Sequence, residues 1–200
     1  NGNSTVVVSD ASSFHVIYNA GGGTNPPIDL DAYTSGENAV IKSETPLKTG
    51  YLFGGWSAAP DSETAEYTGG ETIPVTNGDI VLYAVWEAVT YTVKYDANGG
   101  SGTMPATGAV YDRDVTLAEN TFTKNGCQFA GWSYAPDGEL AYADGAVVKN
   151  LTDTQNGEIT LYALWKGASS TIRFHFEGGS SGTVACEAGY GELLPEDNLT

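Results

Sequence analysis

Two histidines, two cysteines and three closely spaced pairs of Asp or Asn side chains are the residues of this 200-residue chain whose types could carry chemistry. A nucleophilic relay needs histidine beside serine or cysteine, with a third group to orient the ring. His15 falls where a later, similar segment has Thr92, and His175 falls where it has Asp96, so the two are not an equivalent pair. No Gly-x-Ser-x-Gly elbow is present either, and both histidines read as solvent-facing strand residues. The pairs Asp29/Asp31, Asp96/Asn98 and Asp112/Asp114 set two oxygen ligands two residues apart, as calcium loops do. None continues into a loop of five or six ligands, which leaves calcium as an open cofactor and no other implied. Cys127 and Cys186 alone make neither a disulfide framework nor a four-cysteine zinc site, and their spacing leaves open whether they are bonded. Lys94, a candidate for a lysine–asparagine crosslink, lies on the outward phase between Val93 and Tyr95. The chemistry-bearing residues therefore point away from an enzyme, and no catalytic residue is assigned.

The elements that position these residues are organised by a duplicated block. Gly50-Tyr51-Leu52-Phe53-Gly54-Gly55-Trp56 is followed by Leu82-Tyr83-Ala84-Val85-Trp86, and Gly126-Cys127-Gln128-Phe129-Ala130-Gly131-Trp132 by Leu161-Tyr162-Ala163-Leu164-Trp165. All four tryptophans lie in these blocks. Phe53, Trp56, Tyr83, Trp86, Phe129, Trp132, Tyr162 and Trp165 read as core-facing anchors of short strands, a structural assignment and not an active site. Cys127 takes the place of Tyr51, which marks a partly buried position open to either residue.

Twenty-five acids against eight bases give a net charge of −17, which repels nucleic acid and anionic lipid. No run is long and apolar enough to insert into a membrane, and no basic-then-apolar amino terminus marks a signal peptide still in place. An acidic, lysine-poor composition rich in glycine, threonine and tyrosine, with many short β-type runs, is that of a secreted β protein.

Phe-His-Val-Ile-Tyr-Asn-Ala-Gly-Gly-Gly from Phe14 recurs from Tyr91 as Tyr-Thr-Val-Lys-Tyr-Asp-Ala-Asn-Gly-Gly, and from Thr171 in a shorter version. Tyr18 recurs as Tyr95, Trp56 as Trp132 and Trp86 as Trp165, at offsets of 77, 76 and 79 residues. Each period is large enough to be a small domain, so the chain reads as beads on a string. The expected division is a leader at 1–13, a first repeat at 14–88, a second at 89–167 and an incomplete third at 168–200. Short polar linkers are expected at Glu87–Thr90 and Lys166–Ser170, with independent unfolding of the repeats. The fold class is mainly β, α+β at most, with any helix confined to residues 25–35 or 104–113. Gly55 and Gly131 are expected where a neighbouring backbone or indole approaches too closely for a side chain.

Val-x-Tyr-Asp-Ala-Asn-Gly-Gly, Gly-x-x-Phe-x-Gly-Trp and Leu-Tyr-Ala-x-Trp, in that order and twice over, resemble the Listeria–Bacteroides repeat, also called the internalin B-repeat. The resemblance covers residues 14–87 and 91–166 fully and 171–200 for the first half of a repeat. It implies tandem β-grasp, ubiquitin-like variant domains in an extracellular, non-enzymatic bacterial cell-surface protein, acting as a stalk or spacer in adhesion or display. Two other roles remain: an adhesin binding a host protein or glycan through tyrosines and acidic loops, and a subunit of an extracellular filament. For the filament, the half repeat would be completed by strand addition between copies of the chain, with Val6, Val7 and Val8 of one contacting Ile172, Phe174 and Phe176 of the next.

Overall fold

A computed structural model describes residues 12–167 and the backbone of residues 170–173 and 185–188. Two compact units follow one another, the change falling between Val89 and Thr90. Among the described residues every regular element is a strand, an all-β arrangement.

The first unit contains β1 (Val16–Asn19), β2 (Asn38–Val40), β3 (Tyr51–Ser57), β4 (Thr72–Pro74) and β5 (Ile80–Ala88). Here β5 is the centre of a three-stranded sheet, parallel to β1 and antiparallel to β3, while β2 and β4 form a separate antiparallel ribbon. Val16, Tyr18, Trp56, Leu82 and Ala84 from the sheet meet Ala39 and Ile73 from the ribbon in one buried cluster. The second unit contains β6 (Thr90–Asp96), β7 (Thr107–Val110), β8 (Val115–Thr116), β9 (Cys127–Ser133), β10 (Val147–Val148) and β11 (Gly157–Gly167). Its sheet runs β7-β6-β11-β9, its ribbon is β8 with β10, and its core repeats that of the first unit with Trp132, Leu161 and Ala163. Beyond it, β12 (Ser170–Arg173) pairs antiparallel with β13 (Ala185–Ala188), with Ser170 opposite Ala188 just as Tyr91 stands opposite Ala109.

The segments open to helix formation contain none. Residues 104–113 hold β7, and residues 25–35 are irregular, with Asn25 left-handed (φ 55°) and Asp29 and Asp31 held by Lys42. The linker expected at Glu87–Thr90 also differs, because Glu87 and Ala88 belong to β5, Thr90 opens β6, and Val89 is buried with its N–H on the Gly50 carbonyl.

Phe53 and Trp56 are three residues apart, a spacing that puts side chains on opposite faces of a regular strand. Across the ladder, however, Phe53 stands opposite Trp86 and Trp56 opposite Ala84, three residues against two, so β3 carries a bulge at Gly54–Gly55. The bulge returns both rings to one face, with centroids 5.0 Å apart and edge to face. In β9 the same device brings Phe129 to 4.8 Å from Trp132.

Trp56 and Trp132 are fully buried, at 0% exposure. Trp86 and Trp165 are less buried than Trp56 and Trp132 but still pack against the cores. Each lies past the bulge at the end of its strand and packs against the cluster from outside. The assignment of Tyr83 and Tyr162 to the core is corrected: alternation that points Leu82 and Ala84 inward turns Tyr83 to the other face, and neither tyrosine joins a core cluster. Val6, Val7, Val8, Phe174 and Phe176 lie outside the described residues, as does His175, and Ile172 falls in β12.

Candidate functional site

One set of polar ties recurs in both units and fixes the glycine turn after the first strand. The indole N–H of Trp86 donates to Ala20 O at 2.8 Å, and that of Trp165 to Ala97 O at 2.9 Å. The ring then lies so close to Gly23 that a Cβ there would sit 2.7 Å from Trp86 Cζ2, with Gly100 similarly crowded by Trp165. The tyrosine of the first strand makes a second tie, since Lys42 N–H donates to Tyr18 Oη and Ala118 N–H to Tyr95 Oη, both at 2.8 Å. These bonds explain the Gly-Gly and Val-x-Tyr motifs as internal braces.

Gly21 (φ 55°) is the counterpart of Asn98 (φ 47°) at the left-handed position of this turn. Asn98 donates through Nδ2 to Ala163 O at 2.9 Å and to Pro136 O, bonds that glycine cannot make. Gly21→Asn is therefore expected to stabilise the first unit by about 1 kcal/mol, through a less flexible unfolded chain and a new bond to Ala84 O. Thermal unfolding of the first unit in the variant and the parent measures it, and an unchanged or lower midpoint refutes the transfer.

The three pairs of oxygen ligands singled out for calcium have other partners. Asp96 accepts from Asn98 N–H, Asp112 exchanges hydrogen bonds with Asn150, and Asp29 and Asp31 converge on Lys42. Lys42 Nζ is 3.3 Å from Asp29 Oδ1 and 3.2 Å from Asp31 Oδ2, Tyr33 Oη donates to Asp29 Oδ2 at 3.0 Å, and Asp31 N–H donates to Asp29 Oδ1 at 3.0 Å. The described residues contain no group of three or more His, Cys, Asp and Glu side chains placed to hold a metal. Sequence reading missed this clamp because Lys42 is eleven residues from Asp31 and on another segment.

Burial alone would raise the Asp29 carboxyl, but the Asp31 amide, the Tyr33 hydroxyl and the Lys42 ammonium pull it below the usual carboxylate range. Burial and the Asp29 charge push Tyr33 up to about 12, and the carboxylates of Asp31 and Asp29 raise Lys42, which stays an ammonium and no nucleophile. The lowered Asp29 value contributes stability that is present above the unfolded carboxyl value of about 4 and is lost as pH falls through the folded one. The raised Tyr33 value contributes stability present below about pH 10 and lost as pH climbs toward about 12. Asp29→Asn is expected to destabilise the first unit by about 1.5–3 kcal/mol at neutral pH, the worth of hydrogen bonds to a charged group. Melting curves between pH 3 and pH 7 check this. A variant whose midpoint falls with acid as steeply as the parent's would show that the clamp does not carry the acid limb.

The remaining candidates are ordinary surface contacts. His15 N–H donates to Asp79 Oδ1 at 2.8 Å and its ring is half exposed. Lys94 Nζ lies outward, 2.7 Å from Glu158 Oε1 on the neighbouring strand. Cys127 is a free, half-buried thiol, at the same level of burial as its counterpart Tyr51. Tyr134 and Tyr142 share a hydroxyl contact of 2.6 Å, and burial followed by that contact raises Tyr134.

The geometry defines a tandem all-β repeat protein in which the recurring residues build cores, bulges and turn braces. Residues 14–85 and 91–164 match the Listeria-Bacteroides repeat domain, and the chain belongs to this family of surface-protein repeats. It is 30% identical over 177 residues, 87% of the chain and 19% of the relative, to a protein of Evansella cellulosilytica named as a Gly-rich membrane protein. A second protein of that organism, named as a membrane protein, is 32% identical over 162 residues, 79% of the chain and 22% of the relative. Internalin H of Listeria monocytogenes is 34% identical over 132 residues, 65% of the chain and 22% of the relative, and carries the same repeats. The chain thus spans about a fifth of the length of these proteins. Among the described residues no helix is long and apolar enough to cross a membrane.

Proposed function

We propose that the two repeats act as a non-enzymatic spacer in an extracellular bacterial surface protein, holding a binding region away from the cell. The observation that carries this reading is the one-for-one recurrence of the load path: first and last strands parallel, last strand bulged against the Phe–Trp strand, and one buried tryptophan in each core. A spacer needs a repeated unit with its own core, because length is then set by copy number and each unit resists extension by itself. Each unit is best described as a helix-free variant of the β-grasp, with β2 and β4, or β8 and β10, closing the face that a helix would otherwise cover. In this role the tyrosines and acidic loops are solvated surface, and neither calcium nor a host ligand is required.

The experiment displays the parent surface protein on cells with an epitope at its outermost region. Exchanging the order of the two repeats is expected to leave antibody access unchanged, while deleting both lowers it. If the exchange, or alanine at exposed Tyr134 and Leu140, abolishes host-cell attachment while epitope access is normal, the repeats are the adhesive element and the spacer reading fails.

A further inference from the structure

We propose that the outer edge of β1 is a strand-acceptor site for an extended, lysine- or arginine-bearing segment of another polypeptide. This goes beyond a spacer role, for it gives the first repeat a docking function that the second lacks.

Ile80 N–H donates to His15 O at 2.9 Å, and Val16 pairs in parallel with Ile80. In a parallel ladder this turns the amides and carbonyls of His15, Ile17 and Asn19 toward β5 and those of Phe14, Val16 and Tyr18 to the far side. In the second unit the matching edge is covered, with Tyr91 opposite Ala109 and Val93 opposite Thr107 on β7. In the first unit the covering segment pairs at one place only, where Phe14 and Tyr33 exchange bonds of 2.8 and 2.9 Å. No bond among the described residues reaches the outward N–H and C=O of Val16, although Val16 is only 3% exposed.

The cause is local. Asp31, the residue two before Tyr33 that would stand opposite Val16, is held by Lys42, Asp29 is held by Lys42 and Tyr33, and the prolines at 26 and 27 precede them. The clamp therefore draws the would-be β7 strand off the sheet and leaves an edge with an unmet donor and acceptor. β1 has none of the usual protections of such an edge, carrying no proline, bulge or lysine in Val-Ile-Tyr-Asn.

Ile17 of β1 is exposed, as are Ile28 and Leu30 in the segment that leads to Tyr33, the last two at 77% and 88%. Exposed Asp31 belongs to the segment that would stand opposite this edge, in a unit with ten acids and two lysines between Ser12 and Val89. An entering strand that alternates β-branched side chains with lysine or arginine meets apolar contacts and opposite charge together. A second copy of this chain, at net −17, meets like charge.

The test uses the full 200-residue chain and the synthetic peptide Lys-Val-Thr-Val-Arg-Val-Lys, followed by amide hydrogen exchange at single-residue resolution. In the free chain the Val16 amide is expected to exchange about tenfold faster than the Val93 amide, since only the latter is bonded in a ladder. Saturating peptide is expected to slow Val16 by about tenfold and leave Val93 unchanged. Peptides with proline for the central valine, or with glutamate for every cation, are expected to give no protection. Equal protection of Val16 and Val93 in the free chain, or protection by the proline peptide, overturns the open edge. Protection of Val16 that rises with chain concentration in the absence of peptide assigns the edge to a second copy and overturns the basic partner.

Discussion

Trp56→Ala is expected to unfold the first unit at temperatures where the parent remains folded, and Trp132→Ala to do the same to the second. Trp56 has no exposed surface and packs edge to face on Tyr18 at 4.8 Å and Phe53 at 5.0 Å. Trp132 packs edge to face on Phe129 at 4.8 Å and tilted against Tyr95 at 4.9 Å. Deleting such a ring costs about 3–5 kcal/mol, a cavity too large for the ribbon to close. That is most of what a unit this small can hold. The two clusters share no residue, so loss of protection at Leu82 and Ala84 should leave Leu161 and Ala163 protected in the Trp56 variant. Trp86→Ala should cost less, because Trp86 is half-buried and loses one hydrogen bond with a smaller packed area. The indole nitrogens of Trp56 and Trp132 have no hydrogen-bond partner, so phenylalanine there sacrifices volume alone. Hydrogen exchange of the single variants decides the ranking. If Trp86→Ala unfolds the first unit more than Trp56→Ala, the core has been placed around the wrong ring.

Spacing made the tandem arrangement and the tryptophan blocks readable from the sequence, since repeated large aromatics near glycines survive any detail of register. What spacing hid was parity. Phe53 and Trp56 share a face only because of the bulge at Gly54–Gly55, a local backbone event that no alternation rule contains. The face of Tyr83, by contrast, followed from the same alternation that buries Leu82 and Ala84, and crediting aromaticity over phase assigned it to the core. The Asp29–Tyr33–Lys42 clamp was illegible because its lysine arrives from another segment. Only half of it showed, as an acid pair that looked like a cation loop. The missing helix in residues 25–35 was not legible in Pro26 and Pro27, since proline is tolerated in a first helical turn; what holds the segment irregular is the pull of Lys42 on Asp29 and Asp31.

Gly55→Ala and Gly131→Ala are the other large losses expected, and here the sequence reading of a close approach has a defined geometry. Gly55 has φ 131° and Gly131 φ 137°, a region that residues with a Cβ avoid. A Cβ at Gly55 would lie 2.7 Å from Ala65 Cβ and 2.8 Å from Tyr67 O, and one at Gly131 would lie 2.6 Å from Tyr142 O. Those carbonyls cannot retreat freely, since Tyr67 O accepts from Trp56 N–H at 2.9 Å and Tyr142 O from Trp132 N–H at 2.8 Å. Strain and overlap together should cost about 2–5 kcal/mol, and relief by opening the bulge would turn the adjoining tryptophan out of the core. The neighbouring position supplies the control. Gly54 has ordinary φ, its Cβ would stand 3.5 Å from Val85 O, and the second unit already carries Ala130 there. Gly54→Ala should therefore be neutral or slightly stabilising, through a less flexible unfolded chain. Urea unfolding of the Gly54 and Gly55 variants side by side is the measurement. Equal midpoints for the two would mean that the strand is not bulged at this site, and the shared facing of Phe53 and Trp56 would need another cause.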